Sequence, residues 1–329
     1  MHRRRCVTAF FLMSVHLLTL LIVIGCSQPK RPDSGGLSVV CTIFPQYDWT
    51  RQILGDMAEE VEPTLLLNKK IDLHSYQPTV NDIAEISSCD LFIYTGGESD
   101  VWVEAVLKEA TNKDMVIINL LEELGAAAKI EEIKEGMEDD EEAKDAKDAE
   151  DAYDEHVWLS LKNAQSLCAV IAGALCAIDP GNAGSYMDNL AAYSEKLRSL
   201  DDEYKAAMDA ASVRTLLFGD RFPFRYLCDD YGIEYYAAFP GCSAQTEASF
   251  KTIISLAEKM DELGLKTVIV TESSNMSVAG TIIENTKNKD QRIITMDSMQ
   301  SVASDDILNG ATYLSIMESN LSALKGALM

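Results

Sequence analysis

The feature that most constrains this chain is a single long helical pattern between two tracts that each alternate short apolar strands with amphipathic helices. From about Ala183 to Ala211, Tyr186, Leu190, Tyr193, Leu197, Leu200, Tyr204 and Met208 recur at spacings of three and four with charged residues between them. That is the stripe of a helix with one face in a core, and it is long enough to run across a whole domain. Before it, strands are expected at Leu37 to Phe44, Val61 to Leu67, Leu91 to Tyr94 and Met115 to Asn119. Helices are expected from about Tyr47, over Thr79 to Ser87 and over Val101 to Ala110, with Thr79 and Asp82 placed as a capping pair. Leu161 to Ala177 reads as an apolar helix that stops at Asp179-Pro180-Gly181.

After it the alternation restarts. Strands are expected at Thr215 to Phe218, Glu234 to Ala238, Thr267 to Thr271 and Arg292 to Met296, and helices at Phe224 to Tyr231, Glu247 to Leu263, Ser277 to Lys287 and Asp305 to Leu328. Such alternation implies parallel sheets covered by helices. The predicted fold class is therefore α/β, with two similar lobes, residues 37–180 and 212–329, joined by a linking helix over 181–211. Ligands of open α/β sheets lie beyond the carboxyl ends of the strands. Two lobes place those ends across a cleft.

The first residues set the compartment. Arg3, Arg4 and Arg5 precede an apolar run from Ala9 to Ile24, and its end, Leu21-Ile22-Val23-Ile24-Gly25-Cys26, resembles the lipobox of bacterial lipoproteins. Residues 1–25 are read as a signal peptide, Cys26 as the lipid-attachment residue and 26–36 as a linker; an ordinary transmembrane anchor is the competing reading. The expected location is extracytoplasmic, on the cell membrane through the lipid. Removing residues 1–25, which carry three arginines and no acids, takes the formal charge from −25 to −28. A chain so acidic attracts cations and is a poor partner for nucleic acid. Residues 131–155 concentrate much of that charge and read as a solvated loop. The six cysteines beyond Cys26 show no C-x-x-C spacing; Cys168 and Cys176 suit a buried helix, and a Cys228–Cys242 bridge is left open.

Only His74 and His156 remain once the signal segment is set aside. Each follows an aspartate and precedes an aromatic residue by two: Asp72-Leu73-His74-Ser75-Tyr76 and Asp154-Glu155-His156-Val157-Trp158. Matched contexts ahead of helices make both candidate metal ligands.

These segments resemble a known family, the zinc- and manganese-binding solute-binding lipoproteins of ABC transporters, sometimes called cluster A-I. Asp72 to Thr79 with Asp82-Ile83 is similar to its D-P-H-x-Y-E-P-T-x-x-D-I motif, and His156-Val157-Trp158-Leu159-Ser160 with Lys162-Asn163-Ala164 to its H-x-W-L-x-P-x-N-A motif. Asp297-Ser298-Met299 is similar to its D-S-[IL] strand end. The resemblance implies four ligands, two per lobe: His74, His156, Asp297, and one from the segment around Arg221. Arg221 itself falls at the fourth position, where a guanidinium cannot bind a cation. Asp220 is the expected substitute, Glu272 a reserve ligand, and Arg221 a support for a ligating carboxylate.

The resemblance further implies Zn2+ as transported ligand, with Mn2+ the alternative, an ABC permease membrane subunit as partner, and no enzymatic activity. A monomer is expected. The competing classes are a zinc metallohydrolase, against which stands the lack of H-E-x-x-H and G-x-S-x-G patterns, and a surface adhesin with a structural metal.

Overall fold

The computed structural model describes residues 36–138, 152–243 and 247–328. The signal peptide, Cys26 and nearly all of the expected linker lie outside the described residues, as do residues 139–151 of the acidic loop.

Two four-stranded, all-parallel sheets organise residues Leu37 onward. The first contains β1 (Val39–Cys41), β2 (Thr64–Leu65), β3 (Leu91–Tyr94) and β4 (Val116–Asn119), in the order β2-β1-β3-β4. The second contains β5 (Thr215–Phe222), β6 (Glu234–Pro240), β7 (Thr267–Thr271) and β8 (Arg292–Met296), in the order β6-β5-β7-β8. The orders are equivalent, so the chain builds one topology twice. The α/β expectation with two lobes is borne out.

Helices cover the sheets. α1 (Phe44–Leu54), α2 (Val80–Ser88) and α3 (Val103–Lys108) belong to the first half, and α4 (Leu161–Ile178) packs on α1. Buried Leu161, Ala164, Leu167, Cys168, Ile171 and Leu175 fall on one face of α4, as its periodicity requires. Thr79 and Asp82 form the expected reciprocal cap of α2. α5 (Ala183–Ala210) buries all seven residues of the long stripe and touches elements of both halves. At 28 residues it is about 42 Å long.

The second half adds α6 (Arg225–Tyr231), α7 (Phe250–Leu263), α8 (Ser277–Asn285) and α9 (Tyr313–Leu328). The single helix expected from Asp305 is broken: a short helix, Ser304–Leu308, ends before Gly310, whose φ of +95° no helix accommodates. β1 is also shorter than expected. Helix α1 already begins at Phe44, because Pro45 suits a first helical turn.

α9 ties the halves together. Its first N–H, from Tyr313, is accepted by Asp48 Oδ2 of α1 at 3.1 Å, and the Tyr313 ring meets Trp49 edge-on at 5.2 Å. Burial pushes the Asp48 carboxyl up to about 6, against the opposing pull of that backbone N–H.

A candidate metal centre

His74 sits in a single 3-10 turn, Leu73–Ser75, between β2 and α2, and His156 starts another, Val157–Leu159, just before α4. The matched aspartates do the same job in both. Asp72 Oδ1 accepts the His74 backbone N–H at 3.0 Å, and Asp154 Oδ1 accepts that of His156 at 2.9 Å. Asp72 caps its turn, Asp154 closes an Asx-type turn ahead of the other, and each bond helps set the direction of the ring.

The rings then converge. Their Nε2 atoms are 3.4 Å apart. His156 Nδ1 lies 2.8 Å from Asp154 Oδ1, and a carboxylate accepts, so Nδ1 carries the proton and Nε2 presents a lone pair. His74 Nδ1 lies 2.8 Å from Ser99 Oγ, whose hydrogen goes to Glu155 Oε2, and the same tautomer follows. Carboxylates behind both imidazoles are the support that metal-binding histidines use. Gly97, at φ +83°, leaves room for Glu155, whose side chain a Cβ would strike. Gly241 likewise passes so close that a Cβ would lie 3.0 Å from His156 Cε1.

The two rings differ electrostatically. Burial, the facing His156 charge and Arg221 bring His74 down to about 3, with Asp72 pulling the other way. Burial also opposes a charge on His156, but Asp154, Glu155 and Glu131 outweigh it and raise its pKa.

Between the rings stands Gln300, its Nε2 at 2.8 Å from each histidine Nε2. Two amide N–H groups fill two lone pairs, at the place where a cation would sit. Gln300 reaches that place from a turn beyond β8 in which Met299 adopts a left-handed φ of +61°, a conformation costing a non-glycine residue about 1 kcal/mol.

The acids expected as ligands accept hydrogen bonds from this turn and its surroundings. Asp297 Oδ1 accepts the Met299 N–H at 2.7 Å. Glu272 accepts from Ser298 N at 2.8 Å and Ser298 Oγ at 2.9 Å. Asp220 lies at a bulge in β5, where its Oδ2 accepts from Thr271 N and Oγ1 at 3.1 and 2.7 Å in place of a ladder partner. Among the described residues, the metal-ligating side chains whose donor atoms lie within 4.8 Å of one another are His74, His156 and Cys242. Asp297, Asp220 and Glu272 do not join them. Asp72, Glu272 and Asp297 line an adjacent cavity of about 610 Å³, and burial beside Glu272 pushes Asp297 up to about 7.

Arg221, expected to support a ligating carboxylate, is paired with the aspartate that precedes His74. Its Nη2 pairs with Asp72 Oδ2 at 2.6 Å, which joins β5 to the His74 turn. Burial opposes the charge on Asp72, yet the Arg221 hydrogen bond and charge hold its carboxyl below the usual range.

Other expectations also change. Cys228 and Cys242 form no bridge; Cys228 is buried in α6 and both are free thiols. The described flanks of the acidic loop are docked rather than solvated. Glu131 Oε1 accepts the Cys242 N–H at 2.9 Å, Glu132 accepts from Tyr235 Oη at 2.7 Å, and Asp154 and Glu155 are buried. Gln300 and Cys242 escaped the sequence reading as site residues. Their signal was position, since Cys242 follows the carboxyl end of β6 and Gln300 that of β8.

Comparison with known proteins gives the family. A family model described as ZnuA, zinc-uptake complex component A, periplasmic, matches residues 39–327. The chain belongs to this family. A ZnuA-family relative, the high-affinity zinc uptake system protein ZnuA of Bacillus subtilis, is 31% identical over 314 residues, 94% of each chain. The zinc-binding lipoprotein AdcA of Streptococcus pneumoniae is 30% identical over 308 residues, 94% of this chain, which spans only 59% of that relative's length. The crystal structure of the Zn(II)-bound ZnuA-like domain of the same AdcA superposes with a TM-score of 0.68 at 26% identity, covering 89% of this chain and 99% of the domain.

Proposed function

We propose that this ZnuA-family chain is the extracytoplasmic, lipid-anchored zinc-capture component of an ABC uptake system, holding the ion at His74 and His156 and delivering it to the membrane permease. One observation carries the reading: two carboxylate-supported imidazoles face each other with Nε2 atoms 3.4 Å apart. Two bonds of about 2.05 Å at the tetrahedral angle span about 3.3–3.4 Å. A zinc ion fits between the rings without moving them, once the Gln300 amide withdraws.

Zinc names on the related proteins and the lipobox ending at Cys26 support the cargo and the anchor. Asp72, Glu272 and Asp297 serve as an acidic wall that draws the cation in, with Asp220 holding the bulge that carries Arg221. Manganese is the second reading. The same carboxylates are hard oxygen donors, which that ion prefers.

Calorimetric titration with each metal, on the wild type, His74→Ala and His156→Ala, is the test. Zinc bound more tightly than manganese, and lost in both variants, is expected. Wild-type zinc affinity retained in both variants sinks the reading. Zinc accumulation by cells lacking the protein should return with the wild type and fail with His156→Ala, and Cys26→Ser should move the protein out of the membrane fraction.

A further inference from the structure

Two imidazoles leave a tetrahedral cation short of donors, and the nearest acids are engaged in bracing backbone. What the fold brings to the pair is a sulfur. Cys242 follows Gly241 in the turn after β6, and its N–H is pinned by Glu131 Oε1. Its Sγ and a ring nitrogen from each histidine lie within 4.8 Å of one another. The residue is partly exposed and its thiol is free. The other described cysteines are differently placed: Cys41, Cys89, Cys168 and Cys228 are buried, and the Cys176 sulfur lies 3.6 Å from Ala183 O.

We infer that Cys242 is the third protein ligand of the captured ion, so that the site is two imidazoles and a thiolate, suited to a soft or borderline divalent cation. The inference rests on the proposal that His74 and His156 hold the cation. A nitrogen–sulfur edge in a zinc tetrahedron is about 3.6 Å, so the sulfur moves toward the facing Nε2 atoms when the ion binds. On binding, the sulfur–metal bond forms, the thiol proton passes to solvent, and Gln300 gives up its two hydrogen bonds. Thiolate favours zinc over manganese, which prefers oxygen ligands. This donor set chooses between the two cargoes.

Cobalt(II) is the probe, bound to the full chain under reducing conditions. A cobalt–thiolate bond gives a charge-transfer absorption in the near ultraviolet that imidazole and water do not. The wild type should show it, and Cys242→Ser and Cys242→Ala should lose it while keeping their metal-free melting temperature. Both variants should bind zinc more weakly by roughly 10- to 100-fold, a range that even a ligand's supporting group commands. Their manganese affinity should change far less. Cobalt bound by the wild type without the charge-transfer band, or unaltered zinc affinity in both variants, overturns the role of Cys242 and leaves the histidine site standing. Failure of the wild type to bind either cobalt or zinc overturns the histidine site and this inference together.

Discussion

The two histidine turns begin alike and end differently. In both an aspartate two residues ahead accepts the histidine backbone N–H, yet His156 is fully buried while the His74 side chain keeps 10% of its surface exposed. Around His156, Tyr226 Oη donates to Asp154 O at 3.0 Å, Trp158 Nε1 donates to Ser298 O at 2.8 Å, and Tyr313 Oη donates to Trp158 O at 2.7 Å. All three partners come from the second half. Around His74, the second half supplies the part-exposed ion pair of Arg221 with Asp72 and the shared Gln300 amide. The contrast teaches a division of labour. On the proposed function, His156 is the fixed post and His74 the less tightly buried ligand.

The largest expected effect tests that contrast directly. His156→Ala leaves the Asp154 carboxylate buried without its partner, a loss of about 3–5 kcal/mol by denaturant melting. His74→Ala should cost about 1 kcal/mol or less, although both variants lose zinc. Equal stability losses would break the comparison.

Next comes Asp154→Asn, which keeps the shape but removes the charge behind the fixed ring. Zinc affinity should fall about 10- to 100-fold in titrations, with dissociation accelerated. A smaller effect than that of Ser99→Ala, which acts behind His74, would reverse the assignment of fixed post and less tightly buried ligand.

Acid sharpens the comparison further. Below its raised pKa, His156 carries a second proton on Nε2 that must leave before metal binds, whereas His74, near 3, holds none above about pH 5. Zinc affinity should therefore decline as pH falls through the raised His156 pKa, with a slope of about one proton from the two rings, or up to tenfold per pH unit. A two-proton slope that Cys242→Ser leaves unchanged would mean that both rings compete equally. The smallest effect is expected from Arg221→Ala. Removing a cation beside His74 should raise zinc affinity about threefold at low salt and less at high salt.

Much of the fold was legible in the chain because strand and helix periods are local. All seven residues of the α5 stripe are buried, and the Asp-x-His spacing found both turns of the site. The ligand partners were harder because they depend on a turn. Asp297 directly follows β8, and left-handed Met299 turns the chain so that Gln300 reaches the rings. Asp220 stands beside Arg221 in sequence, and the β5 bulge, which no periodicity announces, turns it to Thr271. Cys242 was weighed as a disulfide partner, because only the packing of β6 beside His156 reveals what its thiol faces.

The Asp48–Tyr313 hydrogen bond reaches across 265 positions of chain. Helix α1 thus completes its buried face only against α9, so the first half draws part of its core from the far end of the described residues. Trimming the carboxyl terminus should loosen the beginning of the chain as much as its end, and no half-made intermediate can own a complete ion site.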